Sequence, residues 1–273
     1  MSLVSTGDIL DRERAVLAFN VIQLEHAEAI VTGAEAAGRP VVLQISENAA
    51  KYHGGLAPVT RASLEIAAAA SVDVAVHLDH AEDEALVWEA LELGATSVMF
   101  DAATLPYSEN VARTAEVTRR AHTHGVWVEA ELGAIGGKGG AHTPGVRTDP
   151  AEAVAFVEAT GVDALAVAVG SSHAMTSRSA SLDVELIAEL AAVVPVPLVL
   201  HGSSGVSDAD IVTAIENGMR KVNISTHING VFTRAVREAL DADPALVDPR
   251  KYFAPARAAV ATEITRLLRT LTP

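Results

Sequence analysis

The chain has 273 residues, 49% of them hydrophobic, and its 35 acidic residues outnumber its 20 Lys and Arg residues, which gives a net charge of -15. This charge argues against nucleic acid or an anionic membrane surface as the main partner. The chain contains no cysteine. Disulfides and thiolate catalysis are therefore excluded, and any metal must be held by His, Asp or Glu.

No part of the sequence has the pattern of a targeting or membrane segment. The N-terminal stretch lacks the long apolar core of a signal peptide, and no run of about 18 apolar residues occurs. We therefore expect a cytoplasmic protein with neither a membrane nor a nucleic-acid partner. A phosphorylated small molecule remains compatible with the acidic charge, because a few local donors are enough to bind one phosphate.

Short apolar runs alternate with amphipathic stretches along the chain. The runs are rich in β-branched residues, as in parallel strands buried on both faces, and occupy residues 16–21, 41–46, 74–80, 97–102, 126–132, 164–169, 197–202 and 221–226. Clear helical stretches end in glycine, at residues 24–38, 83–94, 107–125, 149–161 and 207–218. Asp149 and Ser207 are the predicted N-caps of the last two.

This alternation predicts an α/β protein with a (β/α)8 TIM barrel in one domain over residues 1–273. An extra C-terminal helix is expected within residues 248–273. The alternative is an open doubly wound sheet, which is disfavoured because no Gly-rich dinucleotide turn follows the first strand. The Gly-rich stretch at residues 133–145 is a candidate mobile flap.

Polar side chains occur at the C-terminal ends of the predicted strands, where barrel enzymes place their active sites. Three of these ends carry histidine, namely His80, His173 and His201. Histidines from three strands of one barrel converge on one mouth, and three imidazoles with an open position are typical of a catalytic zinc site. His77 lies earlier in its strand and is expected to be structural.

A Gly/Ser-rich loop, residues 202–205, follows the seventh predicted strand, and the polar segment 223–226 ends the eighth. Many barrels bind phosphate with the loops after these two strands, through backbone N–H groups. The same residues are also ordinary turn formers. Together the two loops predict a phosphate site.

The lysines do not suggest a Schiff-base mechanism. The chain has four, Lys51, Lys138, Lys221 and Lys251, and none is expected in mid-strand facing the barrel interior. Lys221 is predicted to begin the eighth strand, at the end away from the active site.

Several motifs together resemble the class II ketose-bisphosphate aldolases, in the tagatose/fructose-bisphosphate branch. They are AFNV (18–21), LDHAED (78–83), MFDA (99–102), VEAELG (128–133), LVLHGSSGV (198–206), KVNIST (221–226) and DPRKYFAPAR (248–257). The resemblance covers nearly the whole chain, and its motifs are far more specific for the family than for the substrate.

The resemblance implies a role for each matching residue. His80, His173 and His201 match the zinc ligands, and Asp79 matches the acid/base that acts on the hydroxyl at the cleaved bond. Asp101 and Glu131 match a second or alternative metal position. The implied substrate contacts are Asn20, Ser46, Ala174, Gly202, Ser203, Ser204, Asn223, Ile224, Ser225 and Thr226, with Arg257 or Arg250, from a neighbouring subunit, for a second phosphate.

The resemblance also implies the reaction and the assembly. The expected cofactor is Zn²⁺ or another divalent metal, and the expected substrate is a phosphorylated ketose such as fructose or tagatose 1,6-bisphosphate. Cleavage would give dihydroxyacetone phosphate and an aldehyde. A homodimer or homotetramer is expected.

The sequence departs from the family in the flap. Gly139 stands where relatives carry the glutamate that exchanges a proton on dihydroxyacetone phosphate, and Ala174 replaces a glycine. Three hypotheses remain open. His142 replaces the missing base, since imidazole titrates in the right range; the substrate differs, for example a deoxy-ketogluconate phosphate; or the chain is a non-catalytic sugar-phosphate-binding barrel. Another metal-dependent barrel reaction is the remaining enzyme alternative, although the HxH pair of barrel hydrolases is absent from the first strand.

Overall fold

The structure, a computed structural model, describes residues 2–132, 147–171 and 180–272. Eight parallel strands pair in chain order, and the first pairs with the last to close a barrel. The predicted TIM barrel is thereby confirmed, and the open-sheet alternative is wrong. The strands are β1 (Val16–Asn20), β2 (Val41–Ser46), β3 (Val74–Ala81), β4 (Ser97–Phe100), β5 (Trp127–Glu131), β6 (Ala164–Ala166), β7 (Leu198–Leu200) and β8 (Met219–Ile224).

One helix, α1, precedes the first strand, and the other helices follow strands and cover the outside of the barrel. They are α1 (Thr6–Leu10), α2 (Leu24–Ala37), α3 (Glu47–His53), α4 (Ala57–Ala69), α5 (Glu84–Leu93), α6 (Tyr107–Thr123), α7 (Pro150–Thr160), α8 (Val184–Val193), α9 (Asp208–Glu216), α10 (Thr226–Ala242) and α11 (Pro249–Leu271). The predicted caps hold, since Asp149 and Ser207 each accept a backbone N–H of the first turn. None of the helices in the described ranges is long and apolar enough to cross a membrane.

The predicted bounds of three strands were wrong. The runs at 164–169 and 197–202 form strands of only three residues each, β6 and β7, because the chain leaves the ladder early for the loops that build the site. The run predicted from 221 begins at Met219 instead. Lys221 therefore lies within β8 and not at its first residue.

The barrel interior is built differently from the layer between strands and helices. At its N-terminal end α1 closes the barrel, with Ile9 and Leu10 packed against Val16 and Val42. On β6 the inner side chains are alanines, and these leave room for longer polar side chains from the strands opposite. The large apolar side chains lie instead between barrel and helices.

The predicted C-terminal helix is confirmed as α11, and it packs along α2. At Gly33 of α2 a Cβ would lie 2.6 Å from the Ala261 carbonyl oxygen and 2.6 Å from Ile264 Cβ. Only glycine permits this approach of the two backbones. The last helix is therefore part of the barrel's outer layer.

Candidate metal centre and active site

A bulge at the end of β3 allows two adjacent residues to face the same site. In a regular strand, Asp79 and His80 would point to opposite faces. The pairing of β3 with β4 shifts register between Leu78 and Ala81, and His80 has a φ of 49°, the one positive value at a non-glycine residue within the described ranges. Such a conformation costs about 1–3 kcal/mol and is found mainly at functional sites. It turns the His80 ring toward His201, with 4.6 Å between ring centroids.

Five of the predicted residues meet at the barrel mouth. The Nδ1 atom of His80 lies 2.7 Å from Asp101 Oδ2 and 3.9 Å from Glu131 Oε2. The Nδ1 atom of His201 lies 3.2 Å from the same Glu131 oxygen. The ligand atoms of His80, Asp101 and Glu131 all lie within 4.8 Å of one another, and so do those of Asp79, His80 and His201. Imidazole nitrogens and carboxylate oxygens at this spacing fit a divalent metal such as zinc.

A fully buried ion pair lies behind His201. Glu129 Oε1 is 2.9 Å from His201 Nε2, and Glu129 Oε2 accepts a hydrogen bond from Lys221 Nζ at 2.7 Å. None of the three side chains is exposed. Since β5 and β8 are not neighbours in the sheet, this pair crosses the barrel interior. The expectation that no lysine faces the interior from mid-strand was therefore wrong.

The ion pair sets the protonation of its neighbours. Burial alone would raise the pKa of Glu129, but the Lys221 charge and the His201 hydrogen bond hold that pKa far below its usual value. An ionised carboxylate only accepts hydrogen bonds, so His201 must donate from Nε2. Burial lowers the pKa of His201, yet its bonds to Glu129 and Glu131 outweigh this and raise the pKa to about 9.

His77 lies beside the same ion pair but has a different character. Burial lowers the pKa of His77 to about 3, so its ring is neutral. Its Nδ1 is bonded to Ser97 Oγ at 2.9 Å, and that hydroxyl contacts Thr6 Oγ1 of α1 at 2.8 Å. These contacts fit the structural role expected for His77.

Two asparagines hold the Asp79 carboxylate. Asn20 Nδ2 donates to Asp79 Oδ2 at 2.9 Å, and Asn223 Nδ2 donates to Asp79 Oδ1 at 3.4 Å. Gln44 in turn donates to Asn20 Oδ1 at 2.9 Å. Burial would raise the pKa of Asp79, but the positive charges of His80 and Lys221 outweigh it and lower that pKa. Asp79 is therefore an ionised, oriented base, and two residues predicted as substrate contacts orient it.

The two loops predicted to bind phosphate are bonded to each other. Ser203 Oγ donates to the carbonyl oxygen of Asn223, and Ser204 Oγ accepts the backbone N–H groups of Ser225 at 3.4 Å and His227 at 3.3 Å. Ser203 is buried and its hydroxyl is used within the protein. An anion here would therefore be held mainly by backbone N–H groups.

The start of α10 strengthens this arrangement. Thr226 begins this helix of 17 residues, and its N-cap residue, Ser225, makes no side-chain cap hydrogen bond. The helix dipole favours an anion at this point. The side chain of Ile224 is 3% exposed and so contributes its backbone alone.

His227 connects the loop after β8 to the C-terminal helix. Its Nε2 donates to Glu263 Oε1 of α11 at 2.6 Å, and Arg266 donates to both Glu263 oxygens at 2.7 and 2.9 Å. Burial would raise the pKa of Glu263, but the bonds from Arg266 and His227 outweigh it and lower the pKa to about 2.

The lowered pKa of Glu263 predicts how the stability of the protein changes in acid. A carboxyl group with a depressed folded-state pKa stabilises the protein above its unfolded pKa, here 4.5, and loses that contribution as pH falls through about 2. We expect Glu263→Gln to lower the free energy of unfolding by about 1 kcal/mol at pH 7, a modest figure because Arg266 is exposed to screening. In urea titrations the difference from the parent should shrink between pH 4.5 and 2. A difference that stays constant over that range would contradict the role of the carboxylate charge.

Several of the predicted site residues are not part of this arrangement. His142, His173 and Ala174 lie outside the described residues. Ser46 Oγ accepts the backbone N–H of Ala49 at 3.2 Å and caps α3. Arg257 donates to Glu28 of α2 on the outer helical layer, so its role toward a second phosphate stays a prediction that requires a neighbouring subunit.

Sequence reasoning assigned no role to Glu129 and misplaced Lys221. A signal was available, because side chains two residues apart lie on the same face of a strand. Glu129 is two residues from Glu131, and Lys221 is two residues from Asn223. With β8 predicted to begin at Met219, where the structure has it, the alternation would have placed Glu129 and Lys221 in the barrel interior.

Comparison with known proteins agrees with this geometry. The family model described as fructose-bisphosphate aldolase class-II matches residues 7–272. The chain is similar to the "Probable fructose-bisphosphate aldolase" of Bacillus subtilis (41% identity, covering 98% of this chain and 97% of that protein). It is also similar to the fructose-bisphosphate aldolase of Geobacillus stearothermophilus (38% identity, 98% and 96% covered). Among solved structures, the YdjI aldolase from Escherichia coli K12 superposes with a TM-score of 0.85 at 32% identity, covering 98% of this chain and 97% of that one. The chain therefore belongs to the class II fructose-bisphosphate aldolases, a family of metal-dependent lyases.

Proposed function

We propose that the chain cleaves fructose 1,6-bisphosphate, or a closely related phosphorylated ketose, into dihydroxyacetone phosphate and an aldehyde. The metal is Zn²⁺, held by His80, His173 and His201, with Asp101 and Glu131 as a second or alternative position. The observation that carries the proposal is the convergence of His80 Nδ1 and His201 Nδ1 on Glu131, beside an ionised Asp79 that Asn20 orients. The names of the relatives, fructose-bisphosphate aldolases, support the substrate class.

Asp79 does the proton transfer that cleavage requires. The hydroxyl on C4 gives its proton to the Asp79 carboxylate, the C3–C4 bond breaks, and the C4 carbon becomes the aldehyde carbonyl. The electron pair stays on C3 of the dihydroxyacetone phosphate half, which then takes up a proton. When bound, the metal supplies Lewis-acid polarisation of the ketone oxygen. Asn20 and Asn223 keep the carboxylate oriented throughout.

The other substrate contacts follow from the two bonded loops. Backbone N–H groups of Gly202–Ser204 and of Thr226 at the start of α10 bind the phosphate of the dihydroxyacetone half, with the helix dipole assisting. His142 is the candidate for the group that protonates that half, in place of the family's flap glutamate. Gly139 at the glutamate position favours testing substrates beyond fructose 1,6-bisphosphate, including tagatose 1,6-bisphosphate and a deoxy-ketogluconate phosphate.

Metal dependence tests the proposal directly. EDTA should abolish cleavage of the accepted ketose and Zn²⁺ should restore it, while borohydride with substrate should neither inactivate the enzyme nor label a lysine. Lys221, the buried lysine, is paired with Glu129 and is not free to form a Schiff base. A lysine adduct trapped by borohydride would indicate a Schiff base and would contradict the metal mechanism. If the protein binds zinc but cleaves neither fructose 1,6-bisphosphate, tagatose 1,6-bisphosphate nor a deoxy-ketogluconate phosphate, the result favours a sugar-phosphate sensor.

Four expectations are left to experiment. The homodimer or homotetramer, the cytoplasmic location, the identity of the metal and a single domain over residues 1–273 stay predictions.

A further inference from the structure

The buried Glu129–Lys221 pair is the feature of the barrel that the cleavage reaction leaves unexplained. Both side chains lie in the barrel interior and are fully buried. Burying two charges costs a large desolvation penalty, and replacing such a pair by apolar residues is often neutral or stabilising. Stability alone is therefore a poor reason for the pair, and its contact with His201 suggests another.

The hydrogen bonds of the pair determine which oxygen of Glu129 faces Lys221 and which faces His201. Lys221 donates to Glu129 Oε2, so Glu129 Oε1 is the oxygen that faces His201 Nε2. That nitrogen keeps its proton when a metal displaces the proton on Nδ1, because the carboxylate only accepts hydrogen bonds. The other ring nitrogen, Nδ1, is thereby directed to the side of Glu131 and of the His80 ring.

We propose that Glu129 and Lys221 are positioning residues for the metal site: Glu129 fixes the tautomer and ring orientation of His201, and Lys221 fixes Glu129. The inference rests on the proposed metal site at His80 and His201. Carboxylates that hold the second nitrogen of a ligating histidine are worth about 10–100-fold in metal affinity. Here the carboxylate is itself held from the far side by a buried ammonium group.

The lysine predicts an unusual pattern in the variants. In Glu129→Gln, Lys221 still donates and so draws the amide oxygen to itself. The amide NH₂ group then faces His201 Nε2, which must accept, and the ring proton moves to Nδ1, the atom that should bind metal. In the double variant Glu129→Gln/Lys221→Met the amide is free to turn its oxygen back to Nε2 and restore the working tautomer.

The experiment measures zinc affinity by competition with a chromophoric chelator, together with the visible spectrum of the Co²⁺-loaded protein. We expect Glu129→Gln to weaken zinc binding about 100-fold and the double variant by only about 10-fold, within the usual range for such contacts. The Co²⁺ spectrum should change in the single variant and return toward the parent spectrum in the double. This recovery separates positioning from a general structural role, which predicts a larger loss in the double variant.

A matched control is Ser97→Ala. This buried hydroxyl contacts His77 and Thr6 in the same barrel interior but not Glu129 or His201. It should lower the unfolding temperature and leave zinc affinity and the Co²⁺ spectrum unchanged. If Glu129→Gln fails to fold, the neutral double variant decides alone: an affinity about 10-fold below the parent supports positioning, and parental affinity overturns it.

The remaining outcomes separate this inference from the proposed function. If the parent binds zinc and Glu129→Gln binds it equally well, or if the double variant binds more weakly than the single, the positioning role is wrong while the metal site stands. If the parent itself binds no zinc, the proposed metal site fails and this inference with it.

Discussion

Replacing Asp79 by asparagine is expected to lower kcat for ketose cleavage by about 10²–10⁴-fold, the usual effect of removing a general acid–base group. The amide has nearly the same shape but cannot take the C4 hydroxyl proton. The parent carboxylate is buried and its ionised form is favoured, so the substitution removes a base that is ready to accept the proton. Steady-state kinetics with a saturating divalent metal measures the effect, and the KM value should change far less than kcat.

A matched control for this substitution is Asp73→Asn. Asp73 immediately precedes β3 and pairs with Arg12 at 2.7 Å on the protein surface, so the control removes an equal charge just before the strand that carries Asp79. Its kcat should equal that of the parent. If Asp79→Asn retained a kcat within a factor of a few of the parent while Asp73→Asn did the same, Asp79 would not be the base.

Replacing His201 by alanine is expected to have the largest effect on the site. It removes one ligand of the proposed metal site and also the hydrogen bond between His201 and Glu129, whose bond to Lys221 remains. Loss of the Lewis acid costs several kcal/mol of transition-state stabilisation, so cleavage should fall by about 10³-fold or more. Metal content of the purified protein, measured by atomic emission, should fall with it.

The control here is His122→Ala, which removes a partly exposed histidine paired with Asp163. It should retain both metal and activity. A His201→Ala protein that keeps a full equivalent of tightly bound zinc would contradict the assignment of His201, even if its activity were low.

The barrel was predictable from the sequence because its signals are local. Glycine stops, Asp149 and Ser207 caps and β-branched runs each depend on a few neighbouring residues. The positive φ of His80 could not be predicted in the same way, because the bulge arises from the pairing of β3 with β4. Strict strand alternation would have placed His80 and Asp79 on opposite faces of β3. The family resemblance was needed to predict that both belong to the site.

The interior ion pair was missed for a related reason. Glu129, Lys221 and His201 come from three different strands, and β5 meets β8 only across the closed barrel. A polar residue buried alone is costly, so a local reading assigns Lys221 to a strand end. The closure of the barrel supplies its partner, and the same closure turns Asn20 and Asn223 from isolated strand-end amides into the two donors that orient Asp79.

The most direct test of the metal site is anomalous diffraction at the zinc absorption edge from crystals grown with Zn²⁺. A single strong peak is expected at the barrel mouth, at the ordinary zinc–imidazole distance of about 2.0–2.1 Å from Nδ1 of both His80 and His201. His173 should supply a third ligand to the same peak. A peak bound through His201 Nε2, or zinc found only on surface histidines with no density between His80 and His201, would contradict the proposed centre and the mechanism built on it.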